Sequence, residues 1–326
     1  MTKFKGVSQI EGKERRFIES CFRVLQREGE QLPMRFETPI EGAKIINQII
    51  ASREASSEEK DQMALSLIDE AKQELLPLEE FNWFKDDERA CYFVWASLYL
   101  KSYYSVPNHP ANATQLQTPT YNPYYHDPSN PTATSPPPTP QYALSYSQLG
   151  LKNNLSNSME RFNEVVKYFD RVGQLKEWKL DLITYLKDIW GNIFSSRKPF
   201  PWLEKDNEEQ CRWAWEYMRK IDSYRSSKPM TYRFTPTSTA EIYLAIYAVY
   251  DTWSVVPDFK RLFSIDFNKA WQQKKLRDSR QGKKACSLVL HKDIKLKLDE
   301  LAKTRKVTLS QLVEQLIEKE HRLKDS

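Results

Sequence analysis

Ten of the 18 prolines in this chain fall between Pro107 and Pro140, three of them in a row at Pro136-Pro137-Pro138. Proline fixes φ and removes a backbone donor, so neither a helix nor a sheet ladder can run through such a stretch. Between Lys101 and Lys152 the only charged residue is Asp127, and Asn, Thr, Ser and Tyr fill the gaps. The composition predicts an extended, disordered linker over 106–150. A polyproline-type ligand for a partner domain is the alternative to a plain spacer, and the spacer needs fewer assumptions.

The flanks of this linker resemble each other. Phe81-Asn82-Trp83-Phe84, Asp86-Asp87-Glu88 and Cys91-Tyr92-Phe93-Val94-Trp95 precede it, with Tyr103-Tyr104 at its edge. Phe200-Pro201-Trp202-Leu203, Asp206-Asn207-Glu208-Glu209 and Cys211-Arg212-Trp213-Ala214-Trp215 follow it, with Ser223-Tyr224 beyond. Cys91/Cys211, Phe93/Trp213 and Trp95/Trp215 share one offset of 120 residues. The match implies duplicated aromatic-rich helical modules, over 1–105 and 151–280. Core packing on one helical face explains the aromatics; a base-stacking platform would need interleaved basic residues, which the first copy lacks. Thr38-Pro39-Ile40-Glu41 and Ser238-Thr239-Ala240-Glu241 read as helix starts, and Met159–Val172 as a helix closed by Gly173.

Only 8 of the 326 residues are glycine, against 9 Trp, 17 Tyr and 15 Phe, which favours helices packed through large side chains. No GxxxxGK[ST] or GxGxxG phosphate loop occurs. With 4 histidines and no CxxC pair, the expectation is no metal, no cofactor and no enzymatic activity. The acidic groups at Asp86-Asp87-Glu88 and Glu208-Glu209 sit where helix starts favour negative charge, so they need no catalytic reading. Isolated cysteines, the lack of an apolar signal core at the N-terminus, and apolar runs too short for a bilayer suggest a cytoplasmic protein without a membrane partner.

The last 45 residues have a different pattern. In Lys283-Lys284-Ala285-Cys286-Ser287-Leu288-Val289-Leu290, alternation predicts a short strand with Cys286, Leu288 and Leu290 on one face and Ala285, Ser287 and Val289 on the other. A helix over 292–305 carries Ile294, Leu298, Leu301 and Ala302 as one buried stripe. Thr308 and Gln311 make a capping box for a second helix bearing Leu309, Leu312, Val313, Leu316 and Ile317. One strand and two helices leave unpaired edges and a very small core, which a second copy paired about a two-fold axis would remedy.

At these residues the chain resembles the ribbon-helix-helix DNA-binding superfamily. The overall expectation is a mainly α protein whose residues 281–326 form a dimerising ribbon-helix-helix of one strand and two helices. The resemblance implies a homodimer whose two-stranded ribbon enters the major groove of double-stranded DNA, with Ala285, Ser287 and Val289 outward. It also implies that backbone N–H groups at Thr308, Leu309 and Ser310 hold a phosphate. From Trp271 to Ser326 there are 15 Lys/Arg and 8 Asp/Glu, a net of +7 in a chain of net +5. Lys274, Lys275, Arg277, Arg280, Lys283 and Lys284 crowd before the strand and are read as phosphate contacts, against the alternative of a solvated helix end.

The order of Asp266–Arg277, a helix with a basic end, before the ribbon is also similar to the bacterial macrodomain Ter organising proteins, which lack a duplicated aromatic module and a Pro-rich linker. The implied function is a bacterial, nucleoid-associated, sequence-specific DNA-binding protein in chromosome or plasmid organisation or transcriptional repression, with a protein partner for the helical modules. The alternative is an antitoxin-type autoregulator whose helical region binds a partner protein.

Overall fold

The computed structural model describes residues 10–33, 35–104, 146–196, 198–225, 233–253, 255–282, 284 and 286–324, which are mainly α-helical with no β-strand among them. The chain forms two compact units, Met1–Asn268 and Lys269–Ser326. In chain order, α1 spans Arg15–Arg27, α2 Pro39–Ser52 and α3 Ser57–Glu74. A 3-10 turn at Leu78–Phe81 and the single-turn α4 (Asn82–Lys85) lead into α5 (Glu88–Tyr104). Then come α6 (Ser158–Arg171), α7 (Lys176–Ser195), α8 (Glu208–Arg225), α9 (Thr239–Thr252) and α10 (Pro257–Ser279). The last two helices are α11 (Lys292–Arg305) and α12 (Leu309–Lys324).

Side-chain caps set the starts of the middle helices. Thr38, Asn157 and Ser238 each accept a hydrogen bond from the backbone N–H three residues on, at Glu41, Glu160 and Glu241. Each capped helix, α2, α6 or α9, is 14 residues long and is followed after a four-residue connection by α3, α7 or α10. Each is preceded by a helix whose N-cap carbonyl, at Glu14, Asp87 or Asn207, accepts from Ile18, Cys91 or Cys211. Those three acceptors' partners are buried, as are Leu25, Leu98 and Met218 two turns further along the same face.

Residues 15–279 therefore fall into three runs of helices with a shared register, α1-α2-α3, α5-α6-α7 and α8-α9-α10, where the sequence pattern pointed to two modules. The shared register reaches individual contacts. Lys60 Nζ donates to the Ala51 carbonyl at 2.8 Å in the first repeat, and Lys260 Nζ to the equivalent Asp251 carbonyl at 3.0 Å in the third. Lys179, at the same register in the second, donates instead to the Glu74 carbonyl at the end of the preceding repeat, at 2.8 Å.

Successive repeats are joined by one recurring ion pair. Arg16 on α1 donates through Nε and Nη2 to both carboxylate oxygens of Asp170 at the end of α6, at 2.7 and 2.6 Å. Arg89, at the same register on α5, grips Asp251 at the end of α9 in the same way, at 2.9 Å for both bonds. This bidentate geometry matches the guanidinium fork to the carboxylate. At the two ends of the array the pairing residues change: Glu209 stands on α8 where Arg16 and Arg89 stand, and Ala51 ends α2 where Asp170 and Asp251 stand. Arg212, Glu216 and Arg219 are exposed on α8 where α5 has Tyr92, Ala96 and Tyr99; Lys44 and Gln48 are exposed on α2 where α9 buries Leu244 and Ala248. Polar outer faces of this kind close a repeat array.

The helices before and after the Pro-rich segment share one core. Tyr92 and Trp95 of α5 pack on Phe234, Phe93 on Trp190, and Phe81 on Phe162 and Phe169. Arg161, buried on α6, pairs with Glu241 on α9 and lies 3.9 Å over the Tyr92 ring. The division expected at the Pro-rich segment thus does not divide the core, because that segment is an insertion between the first and second helices of the middle repeat. Residues 106–145 of the expected linker lie outside the described residues, and its end at 150 is too late: Tyr146 and Leu149 are buried, and Tyr146 Oη accepts from Trp95 Nε1 at 2.9 Å. Helix α6 ends as expected, with Val172 as its C-cap and Gly173 at φ +64°.

Close backbone approach makes Gly12 a sensitive position. A Cβ there would stand 2.5 Å from Ile40 Cα and 2.6 Å from the Pro39 carbonyl oxygen, and backbone cannot swing aside as a side-chain tip does. Gly12→Ala should cost about 1–3 kcal/mol, read as a lower midpoint in urea unfolding.

Burial holds the lysines Lys179 and Lys260 well below their ordinary range, each at about 8, against the opposing pull of Asp170 and Glu74 on the first and Asp251 on the second. Unfolding returns them to about 10.5, so between these values the unfolded chain binds more protons than the folded one. Stability contributed by these groups therefore rises with pH over that window. Thermal melts at about pH 7.5 and about pH 8.5, below the range where the unfolded chain's cysteines ionise, should show an upward shift that Lys179→Met/Lys260→Met largely removes.

Candidate nucleic-acid interface

The basic run begins on the last turns of α10, where cations favour the negative end of the helix dipole. Lys274 lies over the ring of the buried Trp271, with its Nζ 5.6 Å from the centroid, and pairs with Asp278 one turn on. Lys275, Arg277 and Arg280 are exposed. The helix unwinds through Arg280 and Gln281, whose N–H groups donate to the Arg277 and Asp278 carbonyls, and reverses at Gly282, with φ +78°. The left-handed region costs glycine nothing, which suits this exit.

Lys283 and Ala285 lie outside the described residues. Lys284 and Ser287 are exposed, and Val289 is 99% exposed. Residues 286–290 run without a ladder partner among the described residues, so the alternation of Cys286, Leu288 and Leu290 against Ser287 and Val289 produces no buried face within one chain. Leu288 is itself 56% exposed.

Both following helices form, and α11 has the expected bounds. In α11, however, the stripe expected to be buried is not: Ala302 is, Leu298 is half-buried, and Ile294 and Leu301 are exposed. Leu312 is the buried member of the α12 stripe, with Val313 half-buried and Leu309, Leu316 and Ile317 exposed. The physical reason is geometric. Two short helices cover only one strip of each other, and a stripe three or four residues wide needs more than one neighbour. The turn between them places Lys306 in the left-handed region at φ 54°, with its N–H on the Lys303 carbonyl and the Val307 N–H on the Ala302 carbonyl.

Thr308 closes the capping box as expected. Its hydroxyl accepts from the Gln311 N–H at 3.3 Å, and its own N–H donates to Gln311 Oε1 at 2.9 Å. Leu309 and Ser310 form the exposed first turn of α12 beside this cap. Thr308, Leu309 and Ser310 are thus brought together at one helix start, and Lys274, Lys275, Arg277 and Arg280 at one helix end.

The three buried cysteines do not offer an alternative chemistry. Burial pushes the Cys21 and Cys91 thiols up to about 12 and Cys211 to about 11, far from the thiolate form a nucleophile requires. Among the described residues no group of His, Cys, Asp and Glu could hold a metal ion, and no helix is long and apolar enough to cross a membrane. No protein-family model, curated protein or solved structure matches the chain.

The inter-repeat Arg–Asp pairs and the first of the three repeats were not visible as candidates in the sequence. The register of Lys60, Lys179 and Lys260 against Ala51, Asp170 and Asp251 is the signal that could have found them.

Proposed function

We propose that residues 281–326 pair with a second copy as a ribbon-helix-helix and that the dimer reads double-stranded DNA through the major groove. The observation that carries this reading is the apolar surface left uncovered on a small basic unit: Leu288, Ile294, Leu296, Leu301, Leu316 and Ile317 are all exposed, while Ala302 and Leu312 alone are buried on α11 and α12. Surface of this kind on so short a segment calls for a partner. A second copy supplies it symmetrically, and antiparallel pairing of 285–290 satisfies both strand edges.

In this reading Ala285, Ser287 and Val289 face the bases. Ser287 offers a hydroxyl to either donors or acceptors, and Val289 an apolar contact for a thymine methyl. Lys274, Lys275, Arg277, Arg280, Lys283 and Lys284 contact phosphates and fix the register, and the α12 start at Thr308, Leu309 and Ser310 holds another phosphate. The role is chromosome or plasmid organisation or repression in a bacterial cytoplasm, and the helical repeats supply contacts to flanking DNA or to a protein.

Sedimentation and filter retention of labelled duplex test it together. Leu316→Asp/Ile317→Asp places charges on the face the second copy covers, and should weaken self-association and abolish retention of DNA. Retention of duplex by this variant at wild-type affinity would contradict the dimeric reader.

A further inference from the structure

A second exposed apolar surface lies at and just before the start of α10, and owes nothing to the ribbon. Val256, Phe259, Leu262 and Ile265 are between 38% and 56% exposed. The repeat register shows that the fold does not require them to be apolar. The equivalent positions are Ser56, Glu59, Gln62 and Leu65 in the first repeat, and Leu175, Trp178, Asp181 and Thr184 in the second. The same outward face is mostly polar there, and wholly apolar only in the third.

We infer that this face of α10 is a contact site for α10 of a second copy of the chain, with the two helices antiparallel. Asp258, Leu262, Ile265 and Lys269 follow one another at spacings of four, three and four along α10, the spacing of a two-helix seam. Antiparallel pairing sets Leu262 against Ile265 of the other copy, and Asp258 against its Lys269, at both ends of the seam. Parallel pairing would set Asp258 on Asp258 and Lys269 on Lys269. Like charges facing each other disfavour that arrangement, so the charge pattern selects both the orientation and an identical partner. Asp258 and Lys269 are exposed and within reach of such a partner. Phe259 flanks the seam and adds aromatic area beside it. The site is isologous, each copy giving what it receives, so it closes on two chains. It stands independently of the reading of residues 281–326.

Cross-linking in the full chain tests this directly. Cys286→Ser removes the exposed thiol, and Leu262→Cys or Ile265→Cys is then introduced into separately tagged proteins. All these positions are exposed, so folding is checked by an unchanged thermal midpoint. Mild oxidation of the mixed proteins should give a disulfide between position 262 of one copy and 265 of the other, well above either protein alone. Asp258→Lys should weaken self-association through α10 about tenfold or more, and Asp258→Lys/Lys269→Asp should restore it. Cross-linking that is absent, or no greater in the mixture than in the Leu262→Cys protein alone, would overturn the proposal, as would an Asp258→Lys variant that cross-links as well as its parent.

Discussion

Replacing Asp251 by Asn should destabilise the protein by about 3–5 kcal/mol, because it leaves the Arg89 guanidinium charged and gripping a neutral amide in a water-poor seam. Asp251 is 2% exposed at its side chain, and both of its oxygens are taken by Arg89. The loss should appear in urea unfolding as a lower midpoint. Asp170→Asn, at the same register one repeat earlier, should act in the same direction through Arg16, which is 15% exposed at its side chain. Removing both members together, as Arg89→Met/Asp251→Leu, should recover much of the loss, since no uncompensated charge remains. The start of the array provides the contrast. Ala51→Asp alters the same register where no repeat precedes, and should stay within about 0.5 kcal/mol of the parent.

The second large effect concerns DNA. Lys274, Lys275, Arg277 and Arg280 neutralised together as Gln remove four cations per copy, eight per dimer. If all contact phosphate, the slope of log affinity against log salt should become shallower by about seven. Affinity at low salt should fall by three or more orders of magnitude, roughly the scale on which several phosphate contacts act. The helix itself should survive, because Gln is a good helix former and Lys275, Arg277 and Arg280 are exposed. Ser287→Ala, by contrast, should leave the salt slope unchanged and alter preference at one or two base pairs, costing about 1–3 kcal/mol at those positions. Separating a uniform loss from a position-specific one distinguishes positioning contacts from base contacts.

Helix starts were legible because capping is local: Thr38, Ser238 and Thr308 each announce themselves with an acidic or amide residue three positions on. The two-copy aromatic pattern was legible because large rings recur at one offset. The first repeat was not, for two physical reasons. The first repeat has Ala43 and Ala64 where the middle repeat has Phe162 and Ile183, so the ring pattern shared by the other two does not extend to it. The Pro-rich insertion also breaks the register inside the middle repeat, so its first helix matches the third repeat at 120 residues and its later helices at 81. The Arg–Asp pairs join residues 154 and 162 positions apart, beyond any local pattern.

At the candidate interface both helices and the Thr308 cap were readable from periodicity and capping. What covers the apolar stripes was not, because periodicity marks a face without naming its neighbour. Ile294 and Leu301 have the spacing of core residues and remain exposed in one chain.

Selection of bound duplexes from a random library tests the central claim most directly, using the full chain and a version ending at Arg280. A near-palindromic motif should be enriched by the full chain alone. Enrichment of the same motif by the shortened chain, or of none by the full chain, would contradict it.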